Sequence, residues 1–375
     1  MKNPTIIFRT INACNLNCTY CYDKQNHYNI KKENENLEKN LPQIINNINK
    51  LLCDKECSSE FIFHGGEPLL IVPNIYRKFI EQVKKEHPKL RFSIQTNGTL
   101  ISEEFIKVFK EYNISVGISL DGCNEKQNKY RVDYNGNNSF DNILKSIKLL
   151  KKNSIRFGII MSLSKESVGY EKELYDFIGK NNLNCNIRPI FGNKKIMMSN
   201  DEYYNFFTKL FDIWLEDSNS NVSLKQITEI YEAFKQNMIP TYKPKLCSKT
   251  CNCFNNFISL DVEGNLYSCN RTYNNKNFYY GNMNEMTIEE LRKKMERKAT
   301  DRLKSVNNSK CINCKIYEIC KGGCPSNGFM KHGSIYGIDD NYCKARIMIN
   351  DYIYNRLQEN GMIEEYKKRK EKYYE

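Results

Sequence analysis

Residues 5–21 read TIIFRTINACNLNCTYC, an apolar stretch that runs directly into a loop with cysteines at positions 14, 18 and 21. β-branched and aromatic residues dominate positions 5–11, which is typical of a strand. The cysteine loop therefore follows the carboxyl end of the first predicted strand. In a (β/α) barrel, this end of the strands carries the residues that perform chemistry.

Short apolar strands alternate with amphipathic helices over the first two thirds of the chain. In the helix predicted at 138–152, Ser139 is placed to cap the helix and apolar residues share one face. Repeated strand–helix–strand units require a parallel sheet with right-handed crossovers. We therefore predict an α/β fold, a partial (β/α)6 barrel open on one side. Strands are predicted at 5–11, 60–64, 90–95, 114–120, 155–162 and 184–191, and helices at 36–53, 72–86, 102–112, 138–152 and 168–181.

The pattern changes towards the C-terminus. A further helix is predicted at 201–217, with an aromatic stripe that we assign to the core. Beyond residue 241 the sequence predicts loops rich in cysteine, one hairpin at 257–267 and a terminal helix from about residue 344. We place a domain boundary near residue 240, which separates a barrel domain (1–240) from a cysteine-rich domain (241–375).

Composition restricts the class of protein. The 375 residues include 16 cysteines, clustered near the N-terminus and between Cys247 and Cys343, which favours metal binding over a disulfide framework. No apolar run approaches 20 residues and the first residues do not read as a signal peptide, so we expect a soluble cytoplasmic protein without a membrane partner. The formal net charge is +13, but lysines alternate with glutamates as on solvated helix faces, which argues against nucleic acid.

Three cysteines in the N-terminal loop suit an iron–sulfur cluster with a free coordination position. A [4Fe–4S] cluster is normally held by four ligands. Cys14, Cys18 and Cys21 supply three, so one iron is left to bind a small molecule. A structural zinc site is the alternative, and it closes with four ligands. His27 could supply the fourth.

This C-x3-C-x2-C spacing, with Tyr20 before the last cysteine, resembles the signature of the radical S-adenosylmethionine (AdoMet) family. The stretch Phe63-His64-Gly65-Gly66-Glu67-Pro68 resembles the family's glycine-rich motif at the end of the second strand. The resemblance implies that this backbone and Glu67 hold the amino group of AdoMet, and that Arg131 pairs with its carboxylate. The implied cofactor-binding residues are Tyr20, Gly65, Gly66, Glu67, Pro68, Ser119 and Arg131.

The same resemblance implies a mechanism. AdoMet binds the open iron, the reduced cluster passes one electron to the sulfonium, and a 5′-deoxyadenosyl radical removes a hydrogen atom from the substrate. A low-potential donor, flavodoxin or ferredoxin, would supply the electron. The protein aims the radical and excludes water.

The C-terminal cysteines resemble the SPASM domain, the auxiliary-cluster module of peptide-modifying radical enzymes. The pattern is Cys311-x2-Cys314-x5-Cys320-x3-Cys324 followed by Cys343, with Cys251-x12-Gly264-x4-Cys269 upstream. A zinc ribbon would leave Cys269 and Cys343 unused. The resemblance implies three [4Fe–4S] clusters in all. One auxiliary cluster takes Cys311, Cys314, Cys320 and Cys343, and the other takes Cys247, Cys269, Cys324 and Cys251, with Cys253 as the alternate to Cys251.

Over nearly the whole chain, the sequence resembles anaerobic sulfatase-maturating enzymes and related peptide maturases. In those enzymes an aspartate follows the cysteine that matches Cys269 and acts as the base in formylglycine formation. Here the residue is Asn270, and a carboxamide cannot accept a proton at neutral pH. We therefore predict that the protein modifies a peptide or protein, with maturation of a ribosomal peptide as the favoured reaction. The catalytic residues are left unassigned. Sulfatase maturation is the alternative, and a zinc-stapled nucleic-acid-binding protein is the alternative of another class.

Overall fold

The computed structural model describes residues 4–23, 29–52, 59–217, 222–224 and 253–362. The chain divides into two compact units, one of residues 1–160 and 252–303 and the other of residues 161–251 and 304–375. The predicted boundary near residue 240 lies outside the described residues and stays a prediction. His27, Cys247 and Cys251 also lie outside them.

Strands and helices alternate along most of the described chain. The strands are β1 (Thr5–Ile11), β2 (Glu60–Gly65), β3 (Arg91–Thr96), β4 (Ser115–Ser119), β5 (Phe157–Leu163), β6 (Asn184–Pro189), β7 (Ser223–Leu224), β8 (Phe257–Asp261), β9 (Asn265–Tyr267) and β10 (Tyr279–Asn282). The helices are α1 (Ile30–Leu51), α2 (Pro73–Glu86), α3 (Glu103–Glu111), α4 (Phe140–Lys152), α5 (Glu171–Lys180), α6 (Asn200–Glu216), α7 (Cys253–Asn256), α8 (Ile288–Asn307), α9 (Tyr317–Cys320), α10 (Pro325–His332) and α11 (Cys343–Glu359). Among these helices, none has both the length and the apolar character needed to cross a membrane.

An open sheet forms the centre of the first unit. Strands β1 to β5 pair in parallel in chain order, with β5 joining through residues 157–160. On the other side of β1, β8 pairs in parallel and is followed by the antiparallel strands β9 and β10. The predicted α/β class, the open parallel sheet of a partial barrel and the hairpin at 257–267 are confirmed. The pairing of β8 with β1 brings residues after β9 to the sheet that carries the cysteine loop.

An aromatic cluster holds this sheet against its helices. Phe8 of β1 stacks on Phe79 of α2 with ring centroids 5.6 Å apart, and Phe61 and Phe63 of β2 pack on the same ring at 5.3 and 5.4 Å. All four side chains are buried. Burial of such rings supplies much of the free energy that fixes the strand register, and register in turn fixes which residues reach the carboxyl edge of the sheet.

Two details of the helices differ from prediction. Helix α1 begins at Ile30 instead of 36, because the side chain of Asn29 accepts a hydrogen bond from the Lys32 amide and caps it there. Ser139 does not cap α4, so that prediction is wrong. Its hydroxyl donates to the Arg131 carbonyl oxygen at 2.8 Å, and the first amide of the helix instead donates to the Asn138 side chain at 2.9 Å. Ser139 therefore anchors the segment that carries Arg131.

In the second unit, β6 and β7 pair in parallel and α5, α6 and α11 pack together. Helix α6 begins with a capping box formed by Ser199 and Glu202. On α6, the predicted aromatic stripe contributes to the core through Phe206, Phe207 and Phe211. Asp212 of α6 joins it to α11 by accepting hydrogen bonds from two residues of that helix, Tyr352 at 2.5 Å and Arg356 at 3.0 Å.

Candidate active site

The N-terminal cysteine loop is held at the carboxyl end of β1 by backbone hydrogen bonds. The Asn17 amide donates to the Val132 carbonyl oxygen at 2.7 Å, and the Thr19 amide donates to that of Tyr130 at 2.9 Å. These bonds tie both sides of Cys18 to the segment that precedes α4. These two backbone bonds hold the loop around Cys18 without using its thiol.

The thiol of Cys14 interacts electrostatically with those of Cys18 and Cys21. Burial raises the pKa of Cys14 to about 12 and that of Cys18 to about 11, and the other loop thiols contribute to the rise for Cys14. As they stand, the described side chains form no group of three or more Cys, His, Asp or Glu residues close enough to hold a metal ion. The donor chemistry nevertheless suits iron, because a bound cluster supplies the positive charge that buried thiolates require.

Two glycines join the end of β2 to the cysteine loop. The amide of Gly66 donates to the Ile11 carbonyl oxygen at 2.9 Å, and that of Glu67 donates to the Ala13 carbonyl oxygen at 2.8 Å. A Cβ on Gly66 would lie 2.2 Å from that Ala13 oxygen, and a Cβ on Gly65, whose φ is +147°, would lie 2.3 Å from the Ile11 oxygen. These positions thus require glycine because two backbones meet there. Their predicted role in binding AdoMet stays a prediction.

We expect Gly66→Ala to disturb the cysteine loop. The added methyl group must displace the backbone at residues 12–13, and such overpacking costs about 1–3 kcal/mol. Denaturant unfolding should show this loss, and the reconstituted protein should hold less iron. Gly136→Ala is a control without a clash: a Cβ there meets no atom within 4 Å, although the φ of +82° adds backbone strain of about 1 kcal/mol. Equal iron content in the two variants would contradict the packing argument.

Glu67 is a buried carboxylate that organises the end of β3. It is 1 % exposed and accepts hydrogen bonds from the Thr96 hydroxyl at 2.6 Å, the Leu69 amide at 3.0 Å and the Asn97 amide at 2.8 Å. Burial raises the pKa of Glu67 to about 7. The predicted cofactor residue Ser119 lies at the end of β4, where its hydroxyl accepts a hydrogen bond from Gln95 at 3.2 Å.

Arg131, Asp121 and Tyr20 form a buried polar cluster beyond β4. Arg131 donates to both carboxylate oxygens of Asp121, at 3.2 and 3.1 Å, and to the Tyr20 hydroxyl at 2.6 Å. Tyr20 also bonds Asp121. Sequence reasoning assigned Arg131 to AdoMet without a protein partner. In the structure its guanidinium is oriented by Asp121, and the cofactor contact stays a prediction.

Asn270 lies in a second polar cluster that sequence reasoning did not foresee. Its side-chain amide donates to the Tyr22 hydroxyl at 2.9 Å and contacts Nδ1 of His64 at 3.2 Å. Tyr22 follows the last loop cysteine and His64 precedes the two glycines, so both lie beside sequence motifs. Their position next to these motifs is the sequence feature that could have indicated the cluster.

The partial burial of His64 makes the stability of the folded protein depend on pH. It lowers the pKa of His64 to about 4, against 6.5 for an exposed histidine. The unfolded chain therefore takes up this proton at a higher pH than the folded protein does. The resulting stability is complete above pH 6.5 and is lost as the pH falls towards 4, by about 3 kcal/mol.

We expect His64→Asn to remove this dependence. Unfolding by urea at pH 7.5 and pH 4.5 should show a smaller loss of stability on acidification in the variant than in the parent protein. Parallel losses in the two proteins would contradict a neutral, half-buried His64.

The C-terminal cysteines of the second unit surround short turns. The Cys314 amide donates to the Cys311 carbonyl oxygen at 3.0 Å, which closes a tight turn. Cys320 ends α9 and Cys343 begins α11. Burial raises the pKa of Cys343 to about 11, and the negative charge of a Cys320 thiolate adds to that rise. These positions are compatible with the predicted cluster but leave it a prediction.

Cys324 follows a left-handed turn. Lys321, Gly322 and Gly323 all have positive φ values, of 50°, 78° and 69°. The buried Asp339 carboxylate braces this region, accepting hydrogen bonds from the side chains of Asn327 at 3.0 Å and Asn341 at 2.9 Å. Cys253 and Cys269 belong to the first unit. The assignment of Cys269 and Cys324 to one cluster, and the choice between Cys251 and Cys253, stay predictions.

Comparisons with known proteins agree with the fold and the cysteine loop. The family model of the radical SAM superfamily matches residues 8–178. A cysteine-type anaerobic sulfatase-maturating enzyme of Clostridium novyi is 32 % identical over 346 residues, which cover 87 % of this chain and 89 % of that protein.

Solved structures show the same fold. Native anSMEcpe with bound AdoMet matches with a TM-score of 0.78 at 24 % identity, covering 95 % of this chain and 98 % of that one. Streptococcus suis SuiB bound to precursor peptide SuiA matches with a TM-score of 0.62 at 19 % identity, covering 92 % of this chain and 76 % of that one.

The parallel sheet, the three-cysteine loop and the family match define an enzyme of the radical SAM class, which uses AdoMet and a [4Fe–4S] cluster. Within that class, the chain belongs to the family of the anaerobic sulfatase-maturating enzymes.

Proposed function

We propose that this enzyme modifies one residue of a peptide or protein by radical hydrogen-atom abstraction, and that it is a ribosomal peptide maturase with three [4Fe–4S] clusters. The relatives support a polypeptide substrate, since one is a sulfatase-maturating enzyme and another binds a precursor peptide. The observation that separates this proposal from formylglycine formation is the buried carboxamide of Asn270.

Asn270 is 3 % exposed, and its side chain hydrogen bonds to the described part of the chain only through Nδ2. At neutral pH it cannot take the proton that a carboxylate at this position would take. Asp23 is the carboxylate next to Tyr22, and it is ion paired with the buried Arg9. Reactions that require no carboxylate base at residue 270, such as a thioether or carbon–carbon crosslink, an epimerisation or another oxidation, are therefore favoured.

In this proposal, one set of residues of the first unit binds the radical-generating cluster and a second set binds AdoMet. Cys14, Cys18 and Cys21 would hold the radical-generating cluster, and Gly65, Gly66, Glu67, Pro68, Ser119, Arg131 and Tyr20 would hold AdoMet. Bound together, the cluster and AdoMet supply the 5′-deoxyadenosyl radical that abstracts hydrogen. Asp121 orients the Arg131 guanidinium through two hydrogen bonds, which leaves it preorganised for an anionic group.

Two auxiliary clusters complete the proposal. Cys311, Cys314, Cys320 and Cys343 would hold one, and Cys247, Cys251, Cys269 and Cys324 the other, with Cys253 as the alternate to Cys251. Fully ligated clusters have no open iron, so their role is electron transfer from the oxidised substrate or towards the radical site. A low-potential flavodoxin or ferredoxin in the cytoplasm would be the electron donor.

Formylglycine formation is the second candidate, favoured by 32 % identity to a cysteine-type anaerobic sulfatase-maturating enzyme. Incubation under anaerobic conditions with AdoMet, a strong reductant and candidate polypeptides distinguishes the two. One candidate is any short cysteine-rich peptide found to be encoded beside the enzyme, and the other is a sulfatase fragment. Loss of two hydrogens with sulfur retained supports crosslinking. Replacement of the thiol by an aldehyde supports formylglycine. Production of 5′-deoxyadenosine with neither polypeptide altered in mass or in residue stereochemistry overturns both.

A further inference from the structure

Asp339 and Arg346 form an ion pair among the C-terminal cysteines. The Asp339 side chain is 2 % exposed and lies 3.3 Å from Nη2 of Arg346, a residue of α11. The side chains of Asn327 and Asn341 donate to the same carboxylate, at 3.0 and 2.9 Å. A buried ion pair often adds little stability compared with apolar side chains, so the position of these charges points to a role other than stability.

The two ends of this pair face cysteines that the sequence assigns to different clusters. At the positive end, Nη1 of Arg346 donates to the Asp339 carbonyl oxygen at 3.3 Å, and Sγ of Cys343 lies 3.9 Å from that oxygen. At the negative end, Oδ2 of Asp339 lies 3.5 Å from the amide nitrogen of Cys324. All four residues belong to the second unit.

The backbone keeps both ends of the pair in place. A Cβ on Gly323, whose φ is +69°, would lie 2.6 Å from the Cβ of Asp339, so only glycine lets the turn before Cys324 approach this closely. Cys343 is the first residue of α11 and Arg346 follows three positions later. Residues three apart lie on the same side of a helix. The guanidinium therefore stays on the side of the helix that carries the Cys343 thiol.

The two charges would affect iron–sulfur clusters in opposite ways. A [4Fe–4S] cluster becomes more negative on reduction, so a nearby cation raises its reduction potential and a nearby anion lowers it. Four cysteines placed on short turns are a donor set that suits such a cluster. We call the two predicted auxiliary clusters the Cys343 cluster, on Cys311, Cys314, Cys320 and Cys343, and the Cys324 cluster, on Cys247, Cys251, Cys269 and Cys324.

We infer that the Asp339–Arg346 ion pair raises the reduction potential of the Cys343 cluster and lowers that of the Cys324 cluster. One electron then passes spontaneously from the reduced Cys324 cluster to the oxidised Cys343 cluster, and no proton or further reactant is involved. The inference rests on the proposed function, which supplies the auxiliary clusters. It adds the direction of electron transfer between them and the residues that set it.

Redox titration of the anaerobically reconstituted holoenzyme, followed by electron paramagnetic resonance, measures the potentials. The signal that disappears in Cys311→Ser identifies the Cys343 cluster. Arg346→Met should make one-electron reduction of this cluster about tenfold less favourable, a shift of about 59 mV to lower potential. Arg346→Lys keeps the charge and should stay closer to the parent potential than Arg346→Met does.

A second arginine of α11 provides the control. Arg356 pairs with Asp212 and Glu359, at 3.0 and 3.3 Å, and contacts neither cysteine region through these bonds. Arg356→Met removes a cation from the same helix and should leave the potential of the Cys343 cluster unchanged. A shift as large as that of Arg346→Met would show that the effect is not specific to the pair and would overturn the inference.

Asp339→Asn separates charge from packing. It removes the anion, so the Cys324 cluster, identified by the signal that disappears in Cys269→Ser, should become about tenfold easier to reduce. Damaged packing has no reason to follow the sign of the lost charge. Shifts in the same direction in Arg346→Met and Asp339→Asn, or an unchanged Cys343 cluster in Arg346→Met, therefore overturn the inference.

Iron content and unfolding midpoints show whether each variant is folded and loaded. Should Arg346→Met lose its cluster, Asp339→Asn decides, because anything other than a rise in the potential of the Cys324 cluster refutes the inference. Absence of any signal that depends on Cys311 would refute the three-cluster part of the proposed function together with the inference. Unmoved potentials with all signals present refute the inference alone.

Discussion

Replacing Cys18 with alanine should abolish formation of 5′-deoxyadenosine while leaving about eight of about twelve irons bound, since each [4Fe–4S] cluster contributes four. The reason is that the loop supplies only three thiolates, so loss of one leaves the radical-generating cluster with too few ligands. The auxiliary cysteines are unchanged. The fold should also be unchanged, because backbone bonds from Asn17 to Val132 and from Thr19 to Tyr130 hold the loop.

Cys185→Ala is the matched control. Cys185 is another buried free cysteine, and it lies on β6, outside both cysteine motifs. Its loss should leave iron content and AdoMet cleavage intact and cost only the packing of a small side chain. Iron assay and chromatography of reductant-treated samples measure both outcomes. Retained cleavage in Cys18→Ala would disprove the assignment of the N-terminal cluster.

Features encoded by local pattern were predictable from the sequence. Strands β1 to β4 and helices α2 to α4 follow from hydrophobic periodicity, which depends on neighbours within a few residues. The cysteine loop follows from spacing. The start of α1 was missed because a single side chain, that of Asn29, caps the helix six residues early. The Ser139 cap was missed because a tertiary partner, the Arg131 carbonyl oxygen, takes its hydroxyl.

The cluster around Asn270 could not be predicted in the same way. It joins Tyr22, His64 and Asn270, and the last of these is brought to the sheet by the pairing of β8 with β1. Such pairing depends on contacts across more than 200 residues, which local periodicity does not encode. Sequence reasoning recognised that Asn270 is not a base, whereas only the structure shows which end of its carboxamide is engaged.

The largest expected change in stability concerns the buried pair of Asp121 and Arg131. These residues are 1 % and 7 % exposed, and two hydrogen bonds join them. Asp121→Asn removes the negative charge and leaves the guanidinium buried without compensation. Breaking one side of a buried pair in this way costs about 3–5 kcal/mol.

An exposed pair of the same type provides the control. Arg77 and Glu111 lie 3.0 Å apart on the surface, with side chains 29 % and 47 % exposed. Glu111→Gln should cost no more than about 1 kcal/mol, because solvent screens that pair. Denaturant unfolding under anaerobic conditions measures both variants.

A double variant, Asp121→Asn with Arg131→Met, tests the cause. It removes both charges, so it should be more stable than Asp121→Asn alone although it has lost more hydrogen bonds. If the double variant were less stable than the single one, the cost would come from lost hydrogen bonds and not from an uncompensated charge. Equal losses in Asp121→Asn and Glu111→Gln would show that the Arg131 guanidinium is solvated, and its preorganisation for an anionic ligand would then have no structural basis.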